Sequence, residues 1–215
     1  SYRTMGINER REREREEVRR KVLDAARELF ARDGYEAVTM RKIAEAIEYS
    51  PTAIYLHFKD KESLVRELCI SDFDALAKAF QRIAREPDPL ERLRKVGLAY
   101  ADFALEHPNH YRLMFMTPHP SHEKDEAEAA KRRGNPEADA YAFLVATVAE
   151  AIGKGMLRPE LKDAQLVAQA AWAGVHGVIS LHVAKGTDDW VDWKPLKKTV
   201  SLVVEAFSRG IAKEG

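Results

Sequence analysis

The 215-residue sequence has a single cysteine, Cys69, which excludes an internal disulfide framework and a Cys-rich zinc site. An excess of either charge is also lacking, because Lys plus Arg and Asp plus Glu both number 35. A polyanionic partner would therefore have to bind a local basic patch. No apolar signal segment opens the sequence. These features predict a folded protein of the cytoplasm.

Long apolar runs are scarce. One charge-free run, Ala164 to Ala184, is about as long as a membrane-spanning helix. It contains polar groups such as Gln165, Gln169 and His176, which are costly to place in hydrocarbon. We therefore expect a buried helix here and no membrane partner.

Catalytic motifs are absent: there is no Walker loop, GxSxG elbow or HExxH pair. His119 and His122 stand in a Pro-broken segment without Cys partners, which is more typical of a solvated loop than of a metal site. His176 and Ser180 are one helical turn apart without an evident acid. The sequence predicts neither an enzyme nor a metal or cofactor site.

Strand patterns are lacking too, since no alternating Val, Ile, Thr and aromatic residues stand between turn pairs. Nearly every break in the sequence is typical of a helix start or end, so we predict an all-α fold. We expect a flexible charged arm over residues 1–14, a small three-helix domain over 15–60, and a larger helical domain over 61–215. Predicted helix starts are Thr39, Ser50-Pro51, Asp60, Asp88 and Asn135-Pro136.

Two short helices, at about 39–47 and from Ser50, are separated by only a few residues, which is the arrangement of a helix-turn-helix DNA-binding unit. Ile43 and Ile54 can pack inward, which leaves polar tips on the second helix free to meet base edges. Nearby hydroxyl and basic side chains can meet phosphates. The candidate DNA-binding residues are Thr39, Arg41, Lys42, Ser50, Pro51, Thr52, Tyr55, His57, Lys59 and Lys61.

Residue chemistry alone leaves a second interpretation open, in which Ser50 only caps its helix, Tyr55 packs in the core and His57 is a surface residue. The order of the whole block favours DNA binding. The stretch "TMRKIAEAIEYSPTAIYLHFKDKESLV" resembles the N-terminal domain of the TetR (tetracycline repressor) family over roughly residues 15–66. Its matching elements are Thr39, Ile43-Ala44, Ser50, Ile54-Tyr55, Phe58, Lys61 and Leu64.

The resemblance implies a three-helix DNA-binding domain with contacts at Thr39, Arg41, Ser50, Pro51, Thr52, Tyr55, His57 and Lys59. Two positions depart from the family pattern. Glu48 replaces a turn glycine, which predicts mild strain or a different turn geometry. Thr52 replaces a glycine of the recognition helix and adds a hydroxyl, so the operator sequence cannot be transferred from other members.

The C-terminal half is similar to one TetR subgroup, since Trp172, His176 and Gly177 look like its Trp-His-Gly signature and "HPNHYRLMFMTP" is similar to its preceding segment. This resemblance implies a small-molecule pocket, although each aromatic residue alone could equally pack in a core. The predicted ligand-binding residues are Phe103, His110, Tyr111, Met114, Phe115, Trp172 and His176.

The last two predicted helices, at about 162–185 and 194–212, carry apolar faces and small residues that favour a homodimer. The resemblance implies a repressor that binds double-stranded operator DNA and releases it when a small hydrophobic or amphipathic ligand binds. The alternative is a helical dimeric adaptor or ligand-binding protein without specific DNA readout.

Overall fold

The structure, a computed structural model, describes residues 7–118 and 130–213. Within these ranges the regular elements are helices, and an isolated antiparallel bridge joins Leu157 and Ala212. The all-α prediction is confirmed. The helices are α1 (Ile7–Asp33), α2 (Met40–Ala46), α3 (Pro51–Tyr55), α4 (Lys61–Gln81), α5 (Pro89–Glu106), α6 (Pro108–Phe115), α7 (Ala140–Gly153), α8 (Ala164–Lys185) and α9 (Leu196–Ile211).

The chain divides into two compact packing units. The first contains the chain up to Ser71 and a segment that begins at Arg112, and the second contains Asp72–Tyr111 and the remaining C-terminal part. The first eleven residues of α4 thus pack with the N-terminal helices, because Leu64 and Leu68 are buried in their core. The functional boundary at residue 60 stays a prediction.

The core of the first unit is built from α1, α2, α3 and the start of α4. Phe30, Ile43, Ile54 and Leu64 are completely buried in it. Burial of each such side chain contributes about 1.5–3 kcal/mol relative to exposure. The predicted inward packing of Ile43 and Ile54 is therefore what joins the two short helices.

The predicted helix starts are confirmed at Thr39, Ser50, Asp60 and Asp88. Their side-chain oxygens accept hydrogen bonds from backbone N–H groups two or three residues further on, at 2.7 to 3.3 Å. Such N-caps satisfy donors that have no partner within the first turn of a helix.

The predicted helix start at Asn135-Pro136 is wrong, because α7 begins at Ala140. The Asp139 carboxylate caps α7 and accepts from the next N–H groups at 2.9 and 3.2 Å. Asn135 instead closes a turn, in which its carbonyl accepts from the Asp139 N–H at 2.8 Å. Both residues can cap a helix, and the turn at Asn135 leaves the cap to Asp139.

The flexible arm predicted over residues 1–14 is wrong from Ile7 onward, where the chain is helical and continuous with α1. Arg and Glu are good helix formers, and opposite charges four residues apart, such as Glu17 and Lys21 at 3.3 Å, support a helix. Residues 8–17 are exposed on all sides. The predicted arm over residues 1–6 lies outside the described residues, as does most of the connection predicted at 117–135.

The second unit packs α5, α7, α8 and α9 around Val148, Ile179 and Val200, which are completely buried. Gly97 of α5 lets α9 approach closely, since a Cβ atom there would lie 2.7 Å from Val204 Cγ2. This close approach joins the two helices at the centre of the unit.

An ion-pair group ties α5 to α7 in the same unit. Arg92 and Lys154 each lie 2.6 Å from the Glu150 carboxylate. Hydrogen bonds from these two side chains, that of Arg92 first, lower the pKa of Glu150 to about 2. The carboxylate therefore stays ionised under all ordinary conditions.

Among the described helices, α8 alone is long and apolar enough to cross a membrane by length and composition, a test that core helices of soluble proteins also pass. Only 22% of its most apolar window is buried. Val167, Ala168, Val175 and Ile179 form the buried face. We expected a buried helix here, and within a single chain only one face of α8 is buried.

Candidate functional site

One side of α3 is exposed on the surface of the first unit. Thr52 is exposed, Tyr55 is 54% exposed and Leu56 is 74% exposed, whereas Ile54 and Phe58 are buried. A helix of five residues is too short to persist alone in water. Burial of Ile54 and Phe58 therefore holds α3 in place and fixes which side chains face outward.

Of the two possibilities predicted for Glu48, mild backbone strain or a different turn geometry, the turn before α3 has the strained backbone. Its φ is +58°, which makes it the one non-glycine residue with a positive φ in the described chain. A left-handed conformation costs a residue with a side chain about 1–2 kcal/mol. The Tyr49 N–H donates to the Ala44 carbonyl at 3.0 Å and closes the end of α2 over this turn.

Arg19 of α1 positions the end of α3, a role that sequence reasoning missed. Its guanidinium lies 4.4 Å from the Phe58 ring centroid, and its Nη1 donates to the His57 carbonyl at 3.1 Å. It also forms an ion pair with Glu67 of α4. Arg19 stands in a run of alternating Arg and Glu, a pattern that predicts only a solvated helix face.

Most of the predicted DNA-binding side chains lie on the exposed surface of this unit. Arg41 pairs with Glu45 at 2.9 Å and the Lys42 Nζ donates to the Ala37 carbonyl at 2.7 Å, but both basic groups are exposed, so a phosphate can compete for them. The exposed members of the predicted set are Thr39, Arg41, Lys42, Ser50, Pro51, Thr52, Tyr55 and Lys59.

Lys61 does not have the surroundings expected of a phosphate contact. It is half-buried, its Nζ donates to the Tyr35 and Val38 carbonyls at 2.8 and 3.0 Å, and it lies 4.0 Å from the Tyr35 ring centroid. Lys61 therefore ties the start of α4 to the connection between α1 and α2, where it satisfies two carbonyl groups.

His57 was expected to face outward, and in the structure its side chain is only partly exposed. The side chain is half-buried and its Nδ1 is buried without a hydrogen-bond partner in the described structure. Burial, followed by the nearby charges of Arg15 and Arg19, lowers the pKa of His57. Because α3 ends at Tyr55, His57 belongs to the turn that follows this helix.

In the second unit, aromatic and polar side chains meet at His176 of α8. The Tyr111 hydroxyl lies 2.7 Å and the Tyr100 hydroxyl 3.0 Å from His176 Nδ1. Burial lowers the pKa of His176, raises that of Tyr111 to about 12 and also raises that of Tyr100. At neutral pH the tyrosines therefore keep their protons and His176 is neutral.

The group continues from His176 to the surface. The Trp172 ring lies 6.0 Å from both the His176 and the Tyr141 rings, measured between centroids. The Tyr141 hydroxyl donates to Gln165 Oε1 at 2.6 Å and accepts from Gln169 Nε2 at 3.2 Å. We call this set the aromatic cluster: Tyr100, Tyr111, Tyr141, Gln165, Gln169, Trp172 and His176.

Sequence reasoning found three members of the aromatic cluster, Tyr111, Trp172 and His176. A usable signal existed for two others, because Gln165 and Gln169 precede Trp172 at spacings of seven and three and so share its helix face. Tyr100 and Tyr141 come from other helices, and only the fold brings them to this face.

The remaining predicted ligand-binding residues lie elsewhere. Phe103 and His110 group with His107, with ring centroids 4.9 to 6.4 Å apart, and His110 Nδ1 lies 2.9 Å from Oδ1 of the buried Asp72. Met114 and Phe115 belong to the first packing unit. The predicted set therefore divides into separate groups, because neighbouring residues of a helix face different directions.

No group of three or more His, Cys, Asp or Glu side chains is placed to hold a metal ion in residues 7–118 and 130–213. His119 and His122, which we considered as metal ligands, lie outside the described residues.

The short α2, the tight turn and the exposed α3 define a helix-turn-helix DNA-binding protein. Comparison with known proteins gives the family. The family of bacterial regulatory proteins described as tetR matches residues 22–68, and a tetracyclin repressor-like C-terminal domain matches residues 93–207. The chain belongs to the TetR family of transcriptional regulators, which are not enzymes. The Trp-His-Gly subgroup stays a prediction.

Relatives extend over almost the whole chain. The HTH-type transcriptional regulator TtgR of Pseudomonas putida is 28% identical over 198 residues, which cover 85% of this chain and 92% of TtgR. A tetR-family regulatory protein from Rhodococcus RHA1 has the same fold, with a TM-score of 0.74, 19% identity, and coverage of 92% and 98%. The fatty acid degradation regulator FadR of Bacillus halodurans does too, with a TM-score of 0.72, 19% identity, and coverage of 97% and 98%.

The different surroundings of two nearby lysines predict different effects of mutation. Lys61→Met leaves two carbonyls without their charged donor, so we expect a loss of about 1–3 kcal/mol in the free energy of unfolding, measured by urea denaturation. Lys59→Met is the matched exposed variant, for which we expect unchanged stability. We expect it to lower the slope of log affinity for DNA against log salt by about one. Unchanged stability of Lys61→Met together with a lower salt slope would show that Lys61 is a phosphate contact instead.

Proposed function

We propose that this regulator is a cytoplasmic repressor. It binds double-stranded operator DNA as a homodimer and releases it when a small hydrophobic or amphipathic molecule binds the C-terminal half. The observation that supports it most is the surface of α3, where Thr52 and Tyr55 are exposed while Ile54 and Phe58 are buried. An exposed helix of this kind can enter the major groove of DNA.

Basic and hydroxyl side chains around α3 suit a DNA backbone. Arg41, Lys42 and Lys59 are exposed in the same unit, and Thr39 and Ser50 stand at the starts of α2 and α3. Phosphate contacts of this kind fix the position of a protein on the duplex, whereas Thr52 and Tyr55 would meet base edges. Such a local patch is compatible with the equal numbers of basic and acidic residues in the whole chain.

The exposed face of α8 supports a homodimer. Small and apolar residues recur on it at spacings of four and three, which place them on one side of a helix and allow close packing against another. Leu166 and Leu181 are 62% and 58% exposed there, and Leu202 of the adjacent α9 is 67% exposed. We call this set the apolar stripe of α8: Leu166, Ala170, Ala173, Gly177, Leu181 and Ala184.

Homodimers are typical of the TetR family, and two-fold symmetry would present two copies of α3 to two half-sites. These half-sites would lie one helical turn of DNA apart or a multiple of it. The alternative function, a dimeric adaptor without specific DNA readout, would use the same apolar stripe but no operator.

The effector would bind in the second unit, where the aromatic cluster combines ring surface with a few hydrogen-bonding groups. Trp172 is 38% exposed and Tyr111 is completely buried, so the cluster runs from the surface into the interior. Small-molecule sites have this composition. Binding there would favour one of two dimer states that differ in affinity for the operator.

DNA binding can be tested by selecting duplexes from a random library with the purified protein, followed by mobility shifts over a range of salt concentrations. We expect Tyr55→Ala to weaken binding of the selected duplex at least about tenfold, because base contacts each contribute on the order of 1–3 kcal/mol. Trp190→Ala, which removes an exposed aromatic residue from the second unit, is the control and should bind normally. If no duplex is preferred over bulk DNA at any salt, the adaptor function replaces the repressor.

The homodimer can be tested with Leu181→Arg, which places a charge in the apolar stripe of α8. We expect the variant to be monomeric by light scattering after gel filtration, because an unpaired charge buried in a helix interface is costly. Leu105→Arg changes a leucine that is 41% exposed on α5, and this control should leave the dimer intact. Equal dimerisation of the two variants would place the interface elsewhere.

A further inference from the structure

Three of the four helices that carry the aromatic cluster contribute it from segments without charged side chains, whereas α6, which contributes Tyr111, carries Arg112. Residues 140–149 of α7 and 164–184 of α8 contain no Asp, Glu, Lys or Arg, and neither do residues 96–101 of α5, which contribute Tyr100. The polar groups of the cluster are hydroxyls, amides and the neutral ring of His176. A fully charged ligand group placed among them would therefore meet no counter-ion from these segments of α5, α7 and α8.

The charges closest in sequence to the exposed end of the cluster are both negative. Asp139 accepts hydrogen bonds from the Tyr141 and Ala142 N–H groups, and Asp163 accepts from the Gln165 N–H at 2.9 Å. These carboxylates cap α7 and α8, so each stands beside a residue of the cluster. They disfavour an anion at this end in addition to the missing counter-ion.

The hydrogen bonds within the cluster also favour an uncharged guest. The Tyr111 and Tyr100 hydroxyls both lie within hydrogen-bonding distance of His176 Nδ1, and the Tyr100 side chain also bonds that of Trp172. Every polar group here is held as a neutral donor or acceptor. A ligand hydroxyl or carbonyl can exchange with such groups without a change of net charge.

The ring geometry favours a flat ligand. The rings of Tyr141, Trp172 and His176 follow one another with centroids 6.0 Å apart, at interplanar angles of 49° and 61°. Aromatic faces and edges at these angles pack well against a further ring. An unbranched alkyl chain would gain less from them.

The cluster remains accessible if α8 forms the proposed dimer. Gln165, Gln169, Trp172 and His176 recur at spacings of four, three and four, and so form a separate stripe on α8. With about 100° of rotation per residue, this stripe lies roughly 100° around the helix from the apolar stripe of α8. A partner helix packed on the apolar stripe would therefore contact a different side of α8 from the one that carries the aromatic cluster.

We infer that the aromatic cluster binds uncharged, flat ring compounds that carry a hydroxyl or carbonyl group, and discriminates against carboxylates of the same shape. This inference rests on the proposed effector-binding function and names the ligand class. It concerns ligand binding to the protein without DNA, so its test does not depend on whether the protein binds an operator.

The test uses three naphthalene probes of one shape at pH 7: neutral 2-naphthol, anionic 2-naphthoate and cationic 2-naphthylmethylammonium. Affinity for the full-length protein without DNA is measured by calorimetry and by quenching of tryptophan fluorescence. We expect 2-naphthol to bind at least about tenfold more tightly than 2-naphthoate, because an unpaired charge loses its hydration on burial. Tighter binding of the anion or the cation, or no binding of 2-naphthol, would overturn the inference.

A charge placed in the cluster locates the site. Gln169→Lys adds a cation at an exposed position, so we expect it to raise the affinity for 2-naphthoate, relative to that for 2-naphthol, at least about fivefold. Ala146→Lys adds the same charge at an exposed position of α7 and is the matched control. Equal gains in both variants would mean that the naphthoate responds only to net charge, which would contradict binding at the cluster. Mobility shifts on a selected duplex report separately on the proposed DNA binding.

Discussion

The burial of Ile54 and Phe58 is the interaction on which the rest of the DNA-binding unit depends. A helix of five residues gains too little from its own hydrogen bonds to persist, so α3 exists as a helix because these two side chains enter the core of α1, α2 and α4. Their burial directs Thr52 and Tyr55 to solvent. The Arg19 guanidinium, placed on the Phe58 ring and bound to the His57 carbonyl, strengthens the same attachment.

The surface that remains after core packing also sets what the second unit can bind. On α8, one face is buried by α5, α7 and α9, a second carries the aromatic cluster, and a third carries the apolar stripe. None of these three faces requires a charged side chain, so α8 can make all of its contacts without one. Its membrane-like composition thus follows from contacts within the protein and from the proposed dimer.

Local interactions were predictable from the sequence and distant ones were not. The caps at Thr39, Ser50, Asp60 and Asp88 depend on atoms two or three residues away, and the strain at Glu48 depends on one turn.

The roles of Arg19, His57 and Lys61 depend on partners 23 or more residues away in the sequence, and Tyr100 and Tyr141 join the cluster only through helix packing. Asn135 and Asp139 are both good caps, so residue type could not decide where α7 begins.

The central claim is that two copies of α3 bind one duplex, and a hydroxyl-radical footprint of a selected duplex tests it most directly. We predict two protected patches with centres about 34 Å apart, or a multiple of this, along one side of the DNA. A single short patch, or uniform protection without preferred positions, would contradict it.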